Sequence, residues 1–316
     1  MAIYNNLTKS VLEIGGKIHP LLIPSENTGG TGLCNPSIVN NNGKILINLR
    51  HVQYTLWHTS GQWPTRYGPL AYITPDNDLT LRTTNWILEW DTGQVSYHKV
   101  DTSHLDVKPL WEFIGLEDAR IVNWNDGLYL TGVRRDTTTN GEGRMELSLI
   151  KDWKEIKRTR IQPPSPSYCE KNWMPINDLP FHYVKWTNPT EVVKVTGNNA
   201  ETIHLGKPFY TEKDLRGGSN VIRIGDKRIA INHQTLFWRN KQGNKEAIYT
   251  HNFIIWDLEW NVLKVSREFN FMGGLIEFAC GLAEKDGELW ITFGYEDAAA
   301  YLLQVPKDWL LNWIYE

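Results

Sequence analysis

The sequence predicts an all-β fold, a five-bladed β-propeller, and three observations carry that prediction. A hairpin unit recurs five times: a polar residue leads an apolar strand, a turn pair follows, and a second apolar strand ends in charged or aromatic residues. The copies begin at Asn35, Glu117, Glu170, Arg216 and Glu277. Each contains a pair suited to the positive φ of tight hairpins, namely Asn42-Gly43, Asp126-Gly127, Asn177-Asp178, Gly225-Asp226 and Asp286-Gly287. Recurrence at this period points to radial stacking, because one hairpin sheet cannot bury its own faces without neighbours. The copies run from Asn35 to Asp297, which favours one propeller domain over residues 1–316.

Taken in order, residues 1–34 are mixed in character and end in SENTGGTGLC; they are expected to supply the strand that joins the last blade to the first. The repeats place blades near 35–100, 117–160, 170–210, 216–265 and 277–305, with a short C-terminal tail. In the long segment 51–116, TLWHTSGQWPTRYGPLAYI reads as an insertion, whereas LRTTNWILEWD alternates apolar and polar residues and reads as outer strand of the first blade. IQPPSPSYC, 161–169, is a Pro-rich connector. PKDWLLNWIYE predicts a terminal helix with Trp309, Leu310 and Trp313 on one face.

Composition removes several function classes. A formal charge of -3 gives no basic domain for nucleic acid or an anionic membrane surface. No apolar run approaches the roughly 18 residues a membrane span needs, and the N-terminus lacks a signal-peptide pattern. Cys34, Cys169 and Cys280 are far apart and form no C-x-x-C pair, so they read as reduced thiols of a cytoplasmic protein. Fifteen Trp exceed the needs of a minimal core; most are expected between blades, the rest on a sugar-stacking surface. There is no H-E-x-x-H, and GGTG at 29–32 lacks the lysine and strand-helix setting of a phosphate loop. Neither a metal nor a resident cofactor is expected, and His51, His58, His98, His104 and His182 read as loop or packing residues.

Aligning the copies on their turns exposes two polar positions. Asn35, Asp118, Lys171, Arg216 and Glu277 precede the turns; Arg50, Arg134, Lys185, His233 and Asp297 follow them. Equivalent positions in a propeller ring its axis, so these side chains are expected to form a polar funnel, the usual mark of a binding pocket. The alternative is that they merely solvate strand ends. Arg134, Arg135, Lys171, Arg216, His233 and His251 suit phosphate oxygens. The carboxylates of Glu117, Asp118, Glu277, Glu296 and Asp297 suit sugar hydroxyls or proton transfer. Together they fit a glycosyl unit beside a phosphate.

Five motifs, in order, then carry a resemblance. GLEDAR (115–120), EKNWMP (170–175), LRGGS (215–219), YTHNFI (249–254) and the last-repeat pair IEFACGL and ITFGYEDAAAYL resemble the β-mannoside phosphorylase superfamily. This is the glycoside hydrolase family 130-like group of five-bladed propellers, with related β-mannosyltransferases, and the resemblance covers roughly 35–305. It implies that Asp118 of GLEDAR is the catalytic acid, with Ala119 standing where proline usually follows. It also implies a basic set around phosphate, here Arg134, Lys171, Arg216, His233 and His251. Glu277 and Asp297 are expected on sugar hydroxyls, Asn35 and Asn172 in the substrate-binding set, and Arg50, Glu117 and Arg120 as orienting groups. Glu117 and Arg120 read equally well as an interblade ion pair.

The implied activity is inverting transfer of a mannosyl or other hexosyl unit between a phosphorylated donor and a carbohydrate acceptor. Inorganic phosphate, a sugar 1-phosphate or a nucleotide sugar would serve as co-substrate. Two alternatives stay open: a hydrolase with Asp118 as acid and Glu277 or Asp297 activating water, and a non-catalytic carbohydrate-binding propeller.

Overall fold

Turn pairs in the left-handed region fold the hairpins. Asn42 and Gly43 have φ of 52° and 90°, and Asp286 and Gly287 have 52° and 80°. Two successive positive φ values give a turn whose twist matches that of the flanking strands. These pairs join Leu33–Asn41 to Lys44–Val52 and Glu277–Lys285 to Glu288–Tyr295. Gly225, at φ 61°, lies in the turn between Ile222–Ile224 and Lys227–Arg239. The computed structural model describes residues 5–56, 72–75, 77–125, 127–209, 214–239 and 245–316. Asp126 and most of the insertion at 55–73 therefore lie outside the described residues.

The third expected turn is different. Asn177-Asp178 does not reverse the chain in two residues, because both side chains are engaged by the neighbouring sheet. Asn177 N–H donates to Val221 O at 2.9 Å, Asn220 Nδ2 donates to Asn177 Oδ1 at 3.0 Å, and Asp178 pairs with Arg228 at 2.9 Å. The connection between Met174–Pro175 and His182–Thr187 is accordingly a longer loop.

Each hairpin grows into a mainly antiparallel sheet. The first runs Leu33–Asn41, Lys44–Val52, Leu81–Trp90, Gln94–Lys99; the second Glu117–Trp124, Gly127–Arg134, Arg144–Lys151, Lys154–Arg160. The third runs Met174–Pro175, His182–Thr187, Thr190–Thr196, Asn199–Leu205. The fourth is built on the long hairpin Lys227–Arg239 and Lys245–Asp257 and carries short flanking strands. The fifth runs Glu277–Lys285, Glu288–Tyr295, Ala299–Pro306, and Lys17–Pro20 completes it from the other end of the chain.

Hydrophobic clusters sit between successive sheets and close the ring. Ile87 and Val39 meet Ile121 and Leu130 between first and second sheets, and Trp124 meets Trp173 and Tyr183 between second and third. Val184 meets Trp256 between third and fourth, Phe253 meets Phe293 between fourth and fifth, and Trp290 and Leu302 meet Ile47 and Leu88 between fifth and first. The fold is an all-β propeller. The helix Lys307–Tyr315 buries Leu310 and Trp313 in the cluster between fourth and fifth sheets, as its spacing predicts. Trp86, Trp90, Trp124, Trp173, Trp256, Trp260, Trp290 and Trp313 are all buried, so most of the described tryptophans are packing residues.

Candidate active site

Asn35 and Asp118 hold the same place in neighbouring sheets. Each has left-handed backbone, φ 45° and 48°, at a bulge in the first strand of its sheet. Pairing jumps from Cys34↔Arg50 to Ser37↔Asn48 in one sheet and from Glu117↔Val133 to Arg120↔Thr131 in the next. Two residues oppose one at each jump, which interrupts the alternation of side chains and re-aims them. Asn and Asp tolerate this conformation better than most residues. Gly132 faces the second bulge because a Cβ there would lie 2.3 Å from Glu117 O.

The two bulges converge on one carboxylate. Asp118 Oδ1 accepts hydrogen bonds from Asn35 Nδ2 and Arg50 Nη1, both at 2.8 Å, and the Asp118 side chain remains 19 % exposed. Arg50 is itself locked: Nη2 donates to Tyr54 OH at 3.0 Å, and Nε and Nη2 donate to Thr83 Oγ1 at 3.2 and 3.1 Å. Burial pushes the Asp118 carboxyl up, but Arg50, Arg120 and the Asn35 bond outweigh it and leave it below the ordinary value. Its neighbour goes the other way. Burial raises the Glu117 carboxyl against the pull of Arg50, 3.9 Å away, and its Oε1 is buried without a hydrogen-bond partner among the described residues. Adjacent carboxyls driven apart in this way can divide proton-holding and proton-accepting roles.

Arg120 ties sheets together through backbone carbonyls, not through Glu117. Its Nη1 donates to Asp118 O at 2.7 Å, while Nε and Nη2 donate to Gly218 O at 2.9 and 2.7 Å. Gly218 can approach so closely because it has no Cβ; one would lie 2.4 Å from Ile231 O. The guanidinium also lies 5.5 Å from the centre of the Phe278 ring. Through Arg120, the LRGGS segment of the fourth sheet is tied to the Asp118 backbone of the second.

His233 and His251 do not add positive charge. His233 Nδ1 donates to Gly217 O at 3.0 Å, and burial, with His251 and Arg216 nearby, lowers its pKa well below the ordinary range. Ala279 N–H donates to His251 Nε2 at 3.3 Å, and burial lowers His251 to about 3. Both rings are neutral, and the expectation of a cationic pair is corrected by desolvation. Tyr249 stacks on His233 at 5.7 Å between ring centres.

The remaining expected residues divide. Lys171 is exposed, and its charge is felt at Glu117, Asp118 and His233. Asn172 has left-handed backbone, φ 61°, and its carbonyl packs against Gly217. Arg216 is paired with Asp214 at 2.7 Å and is one third exposed. Asp297, φ 49°, acts electrostatically on Cys34, Tyr54 and Tyr249, which places it on the same side of the ring. Glu277 is 0 % exposed, and its carboxylate accepts backbone N–H bonds from Phe271 at 2.5 Å, Met272 at 2.8 Å and Gly274 at 2.9 Å. That side chain is committed to the loop before its own strand. Arg134 is also committed, to Asp136 at 3.2 Å and Glu146 at 2.8 Å inside the second sheet. Lys185 pairs with Glu191 at 3.0 Å.

No protein-family model and no curated protein matches the chain by sequence. Solved structures do. The β-1,2-mannobiose phosphorylase of Listeria innocua, in complex with β-1,2-mannobiose, superimposes with a TM-score of 0.56 at 14 % identity over 100 % of this chain and 99 % of its own. A mannose phosphorylase of Leishmania mexicana, in complex with a phosphate ion, gives 0.54 at 13 % over 96 % and 93 %. A structure described for a GH130 family that contains glycoside hydrolases targeting β-1,2 mannosidic linkages in Candida mannan gives 0.51 at 12 % over 87 % and 84 %. The fold is that of the GH130 mannoside phosphorylases. On this GH130 fold, the residues that sequence reasoning missed are Tyr54, Thr83 and Gly218 O, the partners that immobilise Arg50 and Arg120. Tyr54 lies just before the stretch read as an insertion and Thr83 in the stretch read as outer strand, where no repeat position marks them. No described helix is long and apolar enough to cross a membrane.

Proposed function

We propose that this chain catalyses inverting transfer of a mannosyl or other hexosyl unit between phosphate, or a phosphorylated donor, and a carbohydrate acceptor. The carrying observation is the Asp118 carboxylate, fixed at a left-handed bulge by Asn35 and Arg50 on a GH130-type propeller. In the synthetic direction a sugar 1-phosphate loses its phosphate as the acceptor hydroxyl attacks C1, and Asp118 takes the hydroxyl proton, directly or through a sugar hydroxyl. A carboxylate held ionised by Arg50 suits that task. In the phosphorolytic direction protonated Asp118 returns the proton to the glycosidic oxygen, and phosphate attacks C1 from the opposite face. Phosphate is already a nucleophile, so one proton-transfer residue suffices. Lys171 and Arg216 are the cations we assign to phosphate, since both retain solvent access. Asn172, His233, Tyr249 and Asp297 line the sugar side, with neutral His233 able to accept a hydroxyl proton bond at Nε2.

We read the five multi-stranded sheets as five blades of one domain across residues 1–316. No metal or organic cofactor enters the proposal. Hydrolysis is the second reading, and it needs another carboxylate roughly 6.5–9.5 Å from the acid. Glu277 is a poor choice for that base because three backbone N–H groups already hold it, which leaves Asp297 to carry the rival.

The test is direct. Purified protein is given β-1,2-mannobiose with and without inorganic phosphate, and separately mannose 1-phosphate or GDP-mannose with mannose. Release of a sugar 1-phosphate that requires phosphate supports phosphorolysis. Consumption of GDP-mannose supports a nucleotide-sugar transferase, and release indifferent to phosphate supports the hydrolase. Binding without turnover of any donor would overturn the enzymatic reading.

A further inference from the structure

A cavity of about 500 Å³ lies away from Asp118, between the first and second sheets. Among the described residues its wall includes none of Asp118, Arg120, Lys171, Arg216 or His233. Its volume falls within the roughly 300–1,000 Å³ of ligand pockets. The connector after the first sheet closes one side: Arg158 Nη1 donates to Leu105 O and Nη2 to Asp106, each at 3.0 Å.

The wall has the chemistry of a sugar site. Its formal charges cancel, with Arg82, Lys99, Arg134 and Arg158 against four carboxylates. The arginines already have partners: Arg134 holds Asp136, Arg158 holds Glu155 and Asp106, and Arg82 holds Asp78. A multivalent anion would find those guanidinium groups engaged. What the wall offers instead is residual hydroxyl capacity, beside an apolar strip of Ile114, Leu116, Leu130 and Ile150. Thr137 Oγ1 is buried without a partner among the described residues, and Thr83 Oγ1 accepts from Arg50 and keeps its own proton to donate. Thr102, Ser103 and Ser148 donate to Asp106, Asp101 and Glu155 and can still accept. Polar groups at the rim of an apolar strip match a pyranose, which has hydroxyls at its edge and C–H bonds on its face.

The cavity also touches the supports of the active carboxylate. Thr83 Oγ1, on the wall, accepts two hydrogen bonds from Arg50, and Arg50 holds Asp118. Asp136, on the same wall, accepts Gly115 N–H at 2.9 Å, two residues before Glu117. We infer that this interblade cavity is a second binding site, for a neutral mono- or disaccharide, joined to Asp118 through Thr83 and Arg50. The inference stands on the cavity itself and does not require that Asp118 catalyse transfer.

The experiment is calorimetric titration of mannose, glucose and β-1,2-mannobiose into the full chain, into Asp118→Asn, and into two cavity-blocking variants, Thr137→Trp and Ser103→Trp. Ser103 is exposed, so its variant tests the site even if the half-buried Thr137→Trp folds poorly. Saturable binding that survives Asp118→Asn and weakens at least tenfold in Ser103→Trp, with the unfolding midpoint unchanged, is the expected result. Absence of neutral-sugar binding by the wild type, or binding indifferent to Ser103→Trp, overturns the inference. Competition by inorganic phosphate at this site would overturn the neutral class. Turnover by the wild type in the donor assays stands or falls separately from all three.

Discussion

Asp118, the proposed acid, shows how much of a carboxylate's character is made by its neighbours. Asp118→Asn keeps the shape and the Arg50 contact at Oδ1 but loses proton transfer, so turnover should fall on the order of 10² to 10⁴-fold while the unfolding midpoint holds; unchanged turnover in a steady-state assay would remove the residue from the mechanism. The GLEDAR motif made this residue legible, because its chemistry is local in sequence. Arg50 was named as an orienting group, but the Tyr54 and Thr83 contacts that lock it were not legible, since no repeat position marks those two residues. Nor was the neutrality of His233 and His251, which depends on burial that no motif encodes. That neutrality has a pH signature. A histidine whose folded pKa is depressed leaves the unfolded chain binding more protons below the ordinary value, so its contribution to stability is lost as pH falls. For His251 the window runs from 6.5 down to about 3, and each pH unit within it costs up to about 1.4 kcal/mol. The melting temperature should therefore drop as pH falls below neutrality, and His251→Gln should flatten that slope; parallel slopes in the two proteins would count against the assignment.

At the scale of the strand, the bulge sets the site. In an unbulged strand the alternation of successive residues would set the facing of Asn35 and of Asp118; the two-for-one pairing interrupts it at both, and Asn35 Nδ2 donates to Asp118 Oδ1 at 2.8 Å. Sequence periodicity located the strands but could not show the bulge, because two residues opposite one looks the same as continuous pairing when read along a single strand. The same limit explains the third turn. Asn177-Asp178 carries good hairpin chemistry, yet Val221, Asn220 and Arg228 of the next sheet compete for it. Glycines opposite the bulge should be correspondingly intolerant. Gly132→Ala drives a Cβ to 2.3 Å from Glu117 O, a backbone atom that cannot rotate away. We expect about 1–3 kcal/mol of destabilisation by chemical denaturation, together with a turnover loss greater than stability alone explains, because the displaced segment carries Glu117 and Asp118. A variant with full activity and wild-type stability would show that the bulge relaxes freely.

Over the whole molecule, hydrophobic clusters between successive sheets make the ring, and the weakest point of a ring is where its ends meet. The repeat spacing predicted radial stacking and a closing N-terminal segment, and Lys17–Pro20 pairs with Ala299–Pro306 over four residue pairs. What spacing could not predict is how much else the N-terminus does. The helix Leu7–Glu13 places Leu7 and Val11, each 0 % exposed, in the cluster that also holds Leu310, Trp313 and Phe271. Burying each of these two side chains is worth about 1.5–3 kcal/mol, set against a total stability of about 5–15 kcal/mol for an ordinary domain. Removing residues 1–20 deletes both side chains and bares the edge of the strand Ala299–Pro306, an exposed ladder that invites pairing with other chains. The truncated protein should lose its cooperative unfolding transition and aggregate. The single change Leu7→Ala, which leaves the closing strand in place, should cost about 2–5 kcal/mol and keep the protein monodisperse. Urea unfolding followed by tryptophan fluorescence, with light scattering in parallel, separates the two. If the truncation unfolds at the same urea concentration as Leu7→Ala and stays dispersed, the closing strand adds little to the ring, and the cluster between fourth and fifth sheets holds it shut by itself.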